Sequence, residues 1–258
     1  MNRMRLRFLT YNILDGGTGR EALLDEIIAA QNADVILLQE VIEPQFVVNL
    51  AAQLQTEYYI AESNSPRQLA LLTRLPLRAA SSFHPNALRH GVLEATLEYM
   101  PEQTLTLFGV HLSAPAYTLL VELYRLRELS LILKHIEAQH AARYIIAGDF
   151  NSIAPGDMVD LSGVPWTVRA SVILQGGLIA RQVIGRLRAK GYVDCFRALH
   201  HNERGFTLPP NPPRVRLDYF FVNNILRAHL CACEVISSPE GVKRASDHLP
   251  VMMELEFA

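Results

Sequence analysis

Short apolar runs that each end in a polar residue recur along this chain. These runs cover residues 5–12, 34–40, 104–110 and 144–147. We predict a buried strand at each, because their length and aliphatic character are typical of strands inside an α/β sheet. The residues at their carboxyl ends are Asn12, Glu40, His111 and Asp149. Because ligands bind outside the carboxyl ends of such strands, this pattern favours a functional site at one edge of the sheet structure.

Other segments repeat their apolar residues at helical spacing. The spacing predicts helices over residues 20–31, 45–55 and 117–139. The longest carries a stripe that we interpret as core packing, formed by Leu119, Leu123, Leu126, Leu129, Leu133 and Ile136. Further strands are predicted over residues 57–61, 69–73, 77–83, 92–99, 191–194, 214–222 and 251–257. This alternation of strands and helices predicts an α/β sandwich with polar residues along one edge.

Residues 155–190 differ in character from the rest of the chain. They hold the only tryptophan, Trp166, and a mostly apolar stretch over residues 172–184. Basic residues lie at helix-compatible spacing at its end, namely Arg181, Arg186, Arg188 and Lys190. The pattern indicates an amphipathic helix that covers the sheet, and a substrate-recognition lid or a lipid-interface element is the alternative.

Composition narrows the class of protein. The chain has 258 residues, half of them hydrophobic, and no Gly/Ser/Pro-rich linker divides it, so we predict a single domain over residues 1–258. The net charge of −2 excludes a globally basic nucleic-acid binder. A local basic patch is still compatible with that sum, and Lys243 and Arg244 are candidates for one alongside the basic residues near position 186.

Compartment and thiol chemistry also follow from the sequence as expectations. It contains no signal peptide and no apolar stretch long enough to span a membrane, and its three cysteines form no disulfide framework, so we expect a cytoplasmic protein. Cys231 and Cys233 are spaced to share one face of a strand. We interpret them as buried structural thiols rather than as metal ligands.

Several polar residues have both a chemical and a structural interpretation. Asp149 and Asn151 lie two apart, so a carboxylate that can accept a proton from water sits beside an amide that can bind an anionic oxygen, although an ordinary turn has the same sequence. Glu40 suits a salt bridge at the rim, and His111 suits a structural hydrogen bond. Asp218 lies inside a predicted strand, where Arg214 or Arg216 is a candidate ion-pair partner.

Seven short stretches, in order along nearly the whole chain, resemble the endonuclease/exonuclease/phosphatase superfamily. They are Thr10-Tyr11-Asn12, Leu38-Gln39-Glu40-Val41, Leu72-Thr73-Arg74-Leu75-Pro76, Val110-His111-Leu112-Ser113, Gly148-Asp149-Phe150-Asn151, Arg216-Leu217-Asp218-Tyr219 and Ser246-Asp247-His248. That superfamily includes deoxyribonuclease-like enzymes, abasic-site endonucleases, inositol polyphosphate phosphatases, sphingomyelinases and deadenylases. The resemblance implies a four-layer α/β sandwich, with two mixed sheets packed face to face and helices on the outside.

The resemblance further implies a divalent cation, Mg²⁺ or Mn²⁺. It assigns metal binding to Glu40, with Asn12 and Asp247 close to the ion. Carboxylate oxygens suit such hard cations, and Mg²⁺ commonly keeps several waters, so a sparse ligand set suffices. Many members place an acid two positions after the motif asparagine, whereas Leu14 stands there in this chain and Asp15 follows. Asp15 therefore either faces the metal from a different turn or shapes the loop.

The same resemblance implies hydrolysis of a phosphoester by activated water. Asp149 would orient or deprotonate the water, and Asn151 and His111 would contact the phosphate. Asp218 would hold His248, which would stabilise the charge that develops on the phosphate.

Three functions are compatible with these features. A metal-dependent phosphodiesterase of the nuclease type is favoured. A phosphomonoesterase or a lipid-headgroup, sphingomyelinase-like phosphodiesterase is the alternative, and nucleic acid is one candidate substrate among these phosphoesters. A catalytically inactive binding module is disfavoured, because it would be expected to lose at least one of Glu40, Asp149, Asn151 and His248.

Overall fold

The computed structural model describes residues 3–114, 119–162, 181–239 and 241–258. Its strands form two six-stranded sheets. The first has the order β11-β12-β1-β2-β4-β3, built from β1 (Met4–Asn12), β2 (Val35–Val41), β3 (Glu57–Ile60), β4 (Gln68–Thr73), β11 (Leu230–Val235) and β12 (Val251–Phe257). The second has the order β5-β6-β7-β8-β10-β9, built from β5 (Leu77–Phe83), β6 (Val92–Met100), β7 (Gln103–His111), β8 (Tyr144–Asp149), β9 (Val193–Asp194) and β10 (Asp218–Val222). Both sheets are mixed, since β1–β2 and β7–β8 are parallel pairs and the other neighbours are antiparallel.

Alternation of side chains along the strands distributes the core over three layers. Phe8 and Leu37 of the first sheet pack with Leu107 of the second, so the two sheets face each other. The intervening residues of the first sheet, such as Leu9, pack against α1 (Glu21–Ala30) and α2 (Pro44–Leu54) on the other face.

On the outer face of the second sheet, Phe108 and Ile146 pack against α3 (Leu119–Ala138) and α4 (Gln182–Ala189). Short helical segments complete the chain at α5 (Cys195–Leu199), α6 (Asn224–Arg227) and α7 (Val242–Ala245). The predicted four-layer sandwich is confirmed.

The apolar stripe predicted for α3 is correct only in its second half. Leu129, Leu133 and Ile136 are buried, but Leu123 is 50% exposed. In its place, the first turns bury the charged residues Glu122, Arg125 and Glu128. The reason is that this end of α3 packs against the polar loops that follow β7 and β8, where hydrogen-bonding groups need partners.

Two other sequence predictions are wrong in detail. Asp218 is the first residue of β10 rather than an interior one, and Arg216 pairs with Asp157 and Asp194 instead of with it. Cys233 is buried, but Cys231 is exposed. A change of register between Leu230 and Ala232 in the pairing of β11 with β12 interrupts the regular alternation at this point.

The amphipathic helix predicted within residues 155–190 is confirmed for α4, which buries Val183, Ile184 and Leu187. The part that includes Trp166 lies outside the described residues. Arg181, just before α4, and Arg188, in its last turn, donate hydrogen bonds to backbone carbonyl groups, and Lys190, just after it, pairs with Glu137. No helix within the described ranges is both long enough and apolar enough to cross a membrane.

Candidate active site

The polar strand ends meet at one edge of the sandwich. In the second sheet, Asp149 of β8 lies opposite His111 of β7 on one side and opposite Asp218 of β10 on the other. In the first sheet, Asn12 of β1 lies opposite Gln39, the residue before Glu40. The amide of Asn12 then joins the two sheets, because its Nδ2 donates to Asp149 Oδ2 at 3.1 Å.

Gly148 allows the close approach of β7 and β8 that places Asp149. Its φ is +130°, and a Cβ added there would lie 2.0 Å from the carbonyl oxygen of Val110. Only glycine fits this position. Asp149, the next residue in the chain, can therefore place its carboxylate beside the end of β7.

The Asp149 carboxylate is buried and held by three donors. Its Oδ1 accepts from the backbone N–H of Asn151 at 2.8 Å, and its Oδ2 accepts from the amides of Asn12 and Asn151 at 3.1 and 3.2 Å. Burial raises the pKa of Asp149 to about 7, although the positive charge of His248 opposes the rise. This carboxyl group can therefore accept and release a proton near neutral pH.

His248 lies between two carboxylates. Its Nδ1 is 2.8 Å from Oδ2 of Asp218, and its Nε2 is 3.7 Å from Oδ2 of Asp149. Burial lowers the pKa of His248, but the charges of Asp218 and Asp149 outweigh that effect and raise it to about 10. The ring is thus an imidazolium at neutral pH, with its charge directed at the Asp149 carboxylate.

Ser246 fixes the backbone that carries this histidine. Its hydroxyl donates to the carbonyl oxygen of Asn12 at 2.6 Å and accepts from the backbone N–H of His248 at 3.2 Å. Asp247 is half-buried beside it, with one carboxylate oxygen 3.4 Å from the same hydroxyl. The negative charge of Asp247 acts on both His248 and Arg67, so it belongs to the same site.

His111 is neutral and has unsatisfied ring nitrogens. Neither nitrogen has a hydrogen-bond partner among the described residues, and Nε2 lies 3.6 Å from Oδ2 of Asp149 and 3.9 Å from Oε1 of Glu40. Burial lowers the pKa of His111 well below its ordinary range. Its ring stacks on that of His90 with a centroid separation of 4.3 Å and an interplanar angle of 3°. The ring is therefore held in place while its nitrogens remain available.

His90 was missed in the sequence, because it lies in the loop before β6 without a distinctive pattern. Its Nδ1 is 2.8 Å from the hydroxyl oxygen of Ser65. Burial lowers the pKa of His90 to about 4, so it too is neutral at pH 7. Two neutral rings can stack without the repulsion that two imidazolium ions would experience.

Glu40 reaches the site from a distorted strand end. Its φ is 64°, and the pairing of β2 with β4 shifts register between Leu38 and Val41. A bulge of this kind redirects a side chain. Oε2 accepts from the backbone N–H of Asp15 at 2.9 Å and pairs with Nε of Arg67 at 3.1 Å.

Arg67 also determines the orientation of Asp15. Its Nε donates to Oδ1 of Asp15 at 2.8 Å, so the carboxylate of Asp15 is turned towards the guanidinium. The loop-shaping interpretation of Asp15 agrees with this contact. Arg67 was not among the residues singled out from the sequence, since its place beside Glu40 depends on the pairing of β4 with β2, in which the next residue, Gln68, lies opposite Val41.

Every residue that the sequence singled out for the site lies in this region. Asn151, with a φ of 48°, donates from Nδ2 to the carbonyl oxygen of Leu112 at 2.9 Å, which joins the loops after β7 and β8. Asn12 differs from expectation in its orientation. Its amide oxygen accepts from Leu14 N–H at 3.1 Å, so it turns its NH₂ group, rather than its oxygen, towards Glu40 and Asp149.

The site contains carboxylate oxygens, the kind of donor that a hard divalent cation prefers. Glu40 and Asp247 supply carboxylate oxygens, and one oxygen of buried Asp218 has no hydrogen-bond partner among the described residues. Ligand atoms of Asp149, Asp218 and His248 also lie within 4.8 Å of one another. In that second group, however, His248 Nδ1 is already bonded to Asp218, so the carboxylate oxygens are the atoms suited to a cation.

Buried charges on α3 hold both loops that carry the site. Glu128 accepts from the backbone N–H and the hydroxyl of Ser113 at 3.0 and 2.9 Å, and from the backbone N–H of Arg89 at 3.1 Å. Glu122 accepts from the hydroxyl of Ser152 at 2.9 Å and from Val183 N–H at 3.0 Å. The charged face of α3 therefore positions the segments around His111 and Asn151, a role that the helical leucine pattern obscured.

Known structures share this fold. A variant of the 3′ phosphatase NExo from Neisseria, bound to a product DNA hairpin, superposes with a TM-score of 0.74 and 18% identity over 98% of this chain and 100% of that one. An AP endonuclease from Archaeoglobus fulgidus gives 0.75 and 15% over 96% and 98%. A D. rerio TDP2 humanized by 14 mutations gives 0.68 and 19% over 98% and 99%.

Comparison with curated protein sequences finds no match. The family model described as Endonuclease/Exonuclease/phosphatase family matches residues 9–248. That span runs from β1, which ends in Asn12, to His248, and so includes every residue of the site. The chain therefore belongs to the endonuclease/exonuclease/phosphatase family.

Proposed function

We propose that this protein is a divalent-metal-dependent phosphodiesterase of the nuclease type. The observation that carries the proposal is the position of the buried His248 ring, whose Nε2 lies 3.7 Å from Oδ2 of Asp149 while its Nδ1 lies 2.8 Å from Oδ2 of Asp218. A base beside a fixed positive charge suits the attack of water on a phosphoester, because negative charge grows on the non-bridging oxygens as the attack proceeds. The amide of Asn151 is a neutral donor at the same place, and it would exchange its 3.2 Å bond to Asp149 for one to the phosphate.

In this scheme Asp149 accepts the proton of the attacking water as the water oxygen bonds to phosphorus. The bond from phosphorus to the leaving oxygen breaks, and that oxygen takes its proton from solvent. His248 and Asn151 bind the non-bridging oxygens of the phosphate, and Asp218 keeps His248 charged and oriented. Neutral His111 directs an unpaired ring nitrogen towards the same edge and contacts the phosphate. The carboxylates of Glu40 and Asp247 would hold a Mg²⁺ or Mn²⁺ ion, with Asn12 close to it, and the ion when bound would supply charge neutralisation at the phosphate.

The fold relatives support a nucleic-acid substrate, since two of them are an AP endonuclease and a 3′ phosphatase bound to DNA. The 3′ phosphatase also favours one alternative, a phosphomonoesterase. The lipid-headgroup alternative was based on the segment around Trp166, which lies outside the described residues.

Two chromogenic substrates separate these functions. Hydrolysis of bis-p-nitrophenyl phosphate and of p-nitrophenyl phosphate should be measured side by side, with the Asp149→Asn variant as the blank. The proposal predicts a clear preference for the diester. Preference for the monoester would instead establish the phosphatase alternative.

A further inference from the structure

A cleft of about 660 Å³, lined by both polar and apolar residues, opens near the active site. We call it the Arg89 cleft. The lining residues that bear on ligand binding are Asn64, Asn86, Leu88, Arg89, Ser113 and Tyr124. It lies between the loop that precedes β6 and the first turns of α3, and none of its lining residues belongs to the catalytic set described above.

The cleft lies close to the catalytic edge. Ser113 follows His111 by two residues, and Arg89 directly precedes His90, whose ring stacks on His111. The positive charge of Arg89 is also close enough to add to the effect of burial in lowering the pKa of His111. A substrate bound at His111 that extends along this edge would therefore reach the cleft.

The cleft wall is built before any ligand arrives. Nδ2 of Asn64 donates to the carbonyl oxygens of His84, Pro85 and Leu88 at 3.0, 2.9 and 2.9 Å, which fixes the loop before β6. The backbone of Arg89 is held by buried Glu128 at 3.1 Å. A preorganised wall of this kind reduces the entropy lost on binding.

Its chemistry combines a cation with an aromatic surface. The side chain of Arg89 is exposed, and its guanidinium has no hydrogen bond or ion pair with the described residues. Tyr124 is 41% exposed, and Leu88 forms a buried apolar floor. A guanidinium suits a phosphate, and an exposed aromatic ring provides a stacking surface for a base or sugar.

We propose that the Arg89 cleft binds the nucleotide adjacent to the scissile phosphate of a single-stranded nucleic acid, with its phosphate on Arg89 and its base on Tyr124. The inference rests on the proposed function and specifies its substrate. A strand explains both features at once, because it presents phosphates and bases in alternation. An overall charge of −2 is compatible with such binding, since the cation is local.

Binding of a fluorescein-labelled thymidylate hexamer, measured by anisotropy in the presence of chelator, tests the cleft without catalysis. Arg89→Gln and Tyr124→Leu are each expected to weaken binding about tenfold. Loss of one phosphate contact should also make the slope of log K against log salt concentration shallower by about 0.7 in Arg89→Gln. The matched control is Arg227→Gln. Arg227 is an exposed arginine of α6, which follows the carboxyl end of β10, whereas Asp218 and the active site lie at the other end of that strand. This variant should bind the hexamer as the wild type does.

Kinetics separate this inference from the proposed function. For Arg89→Gln, kcat/KM on the hexamer should fall about tenfold more than kcat/KM on bis-p-nitrophenyl phosphate. Equal losses on both substrates, or hexamer binding equal to that of Arg227→Gln, would overturn the assignment of the cleft. Inactivity of the wild type on the small diester, with hexamer binding still dependent on Arg89, would contradict the proposed function and leave the cleft intact.

Discussion

Nδ1 of His248 lies 2.8 Å from Oδ2 of Asp218, and both side chains are buried where the ends of the two sheets meet. Asp218 lies opposite Asp149 in the sheet, so the imidazolium is set between two carboxylates that the strand register places side by side. Burial of a charged ring is costly unless it is paired. Here the pairing both offsets that cost and directs the second ring nitrogen into the active site.

Replacing Asp218 by Asn should lower the pKa of His248. In the wild type that pKa is raised to about 10, and Asp218 contributes the largest favourable charge. NMR titration of the His248 ring in metal-free protein should show a charged imidazole at about pH 8 in the wild type and a neutral one in Asp218→Asn. Identical titration curves would show that Asp218 does not hold the charge.

The same shift predicts how stability depends on pH. The pKa of His248 rises from 6.5 to about 10 on folding. Its contribution to the free energy of unfolding is therefore fully present below pH 6.5 and is lost as the pH rises towards 10. For Asp149, a rise in pKa from 3.8 to about 7 favours the neutral form, so stability also declines between those values. Urea unfolding of metal-free protein should therefore show lower stability at about pH 9.5 than at about pH 6, and Asp218→Asn should reduce that difference. Stability that increases with pH over this range would contradict the assignment.

Asp149→Asn and His248→Ala are each expected to reduce turnover at least about a hundredfold, because one removes the base and the other removes the charge that binds the phosphate. Circular dichroism should show that both variants are folded. Rates close to those of the wild type in either folded variant would remove that residue from the mechanism.

Metal binding should respond in opposite directions to changes at Glu40 and Arg67. Glu40→Gln removes a carboxylate that we assign to the metal and should weaken Mn²⁺ binding at least about tenfold in calorimetry. Arg67→Gln removes a cation whose Nε is 3.1 Å from Glu40 and should tighten Mn²⁺ binding several-fold, since like charges repel. If Glu40→Gln binds Mn²⁺ as the wild type does, the ion is held instead by the carboxylates of Asp149 and Asp218.

Glu128→Ala should destabilise the fold by about 2–3 kcal/mol, because three donors lose their buried acceptor. Glu137→Ala is the matched control on the same helix. Glu137 is exposed, and its one ion pair among the described residues is with Lys190, so its loss should change the free energy of unfolding by about 0.5 kcal/mol or less. Equal effects of the two substitutions in urea titrations would show that Glu128 does not support the loops.

The strand ends were predictable from the sequence because their pattern is local. An aliphatic run followed by Asn12, Glu40, His111 or Asp149 shows both the strand and its end, and parallel register then places these ends at a common edge. The ordered motifs of the family added Asp218 and His248, although not their 2.8 Å contact.

Features that depend on tertiary packing were not predictable. Arg67 and His90 lie in loops, and their contacts with Glu40 and His111 form only through tertiary structure: β4 pairs with β2, and the ring of His90 stacks on that of His111. Leu123 fits the helical stripe of α3 but is exposed, because the charged face beside it is used by the active-site loops. The leucine spacing predicted an apolar face for the first turns of α3. The face that is buried there is charged instead, because Glu122 and Glu128 accept hydrogen bonds from backbone N–H groups of the neighbouring segments.

The most direct test of metal-dependent phosphodiester hydrolysis is the rate at which the wild type cleaves bis-p-nitrophenyl phosphate with Mg²⁺, with Mn²⁺ and with chelator. We predict hydrolysis with either metal, little with chelator, and loss of the metal-dependent rate in Asp149→Asn. Hydrolysis that is unchanged by chelator, or that persists in Asp149→Asn, would contradict the proposed function.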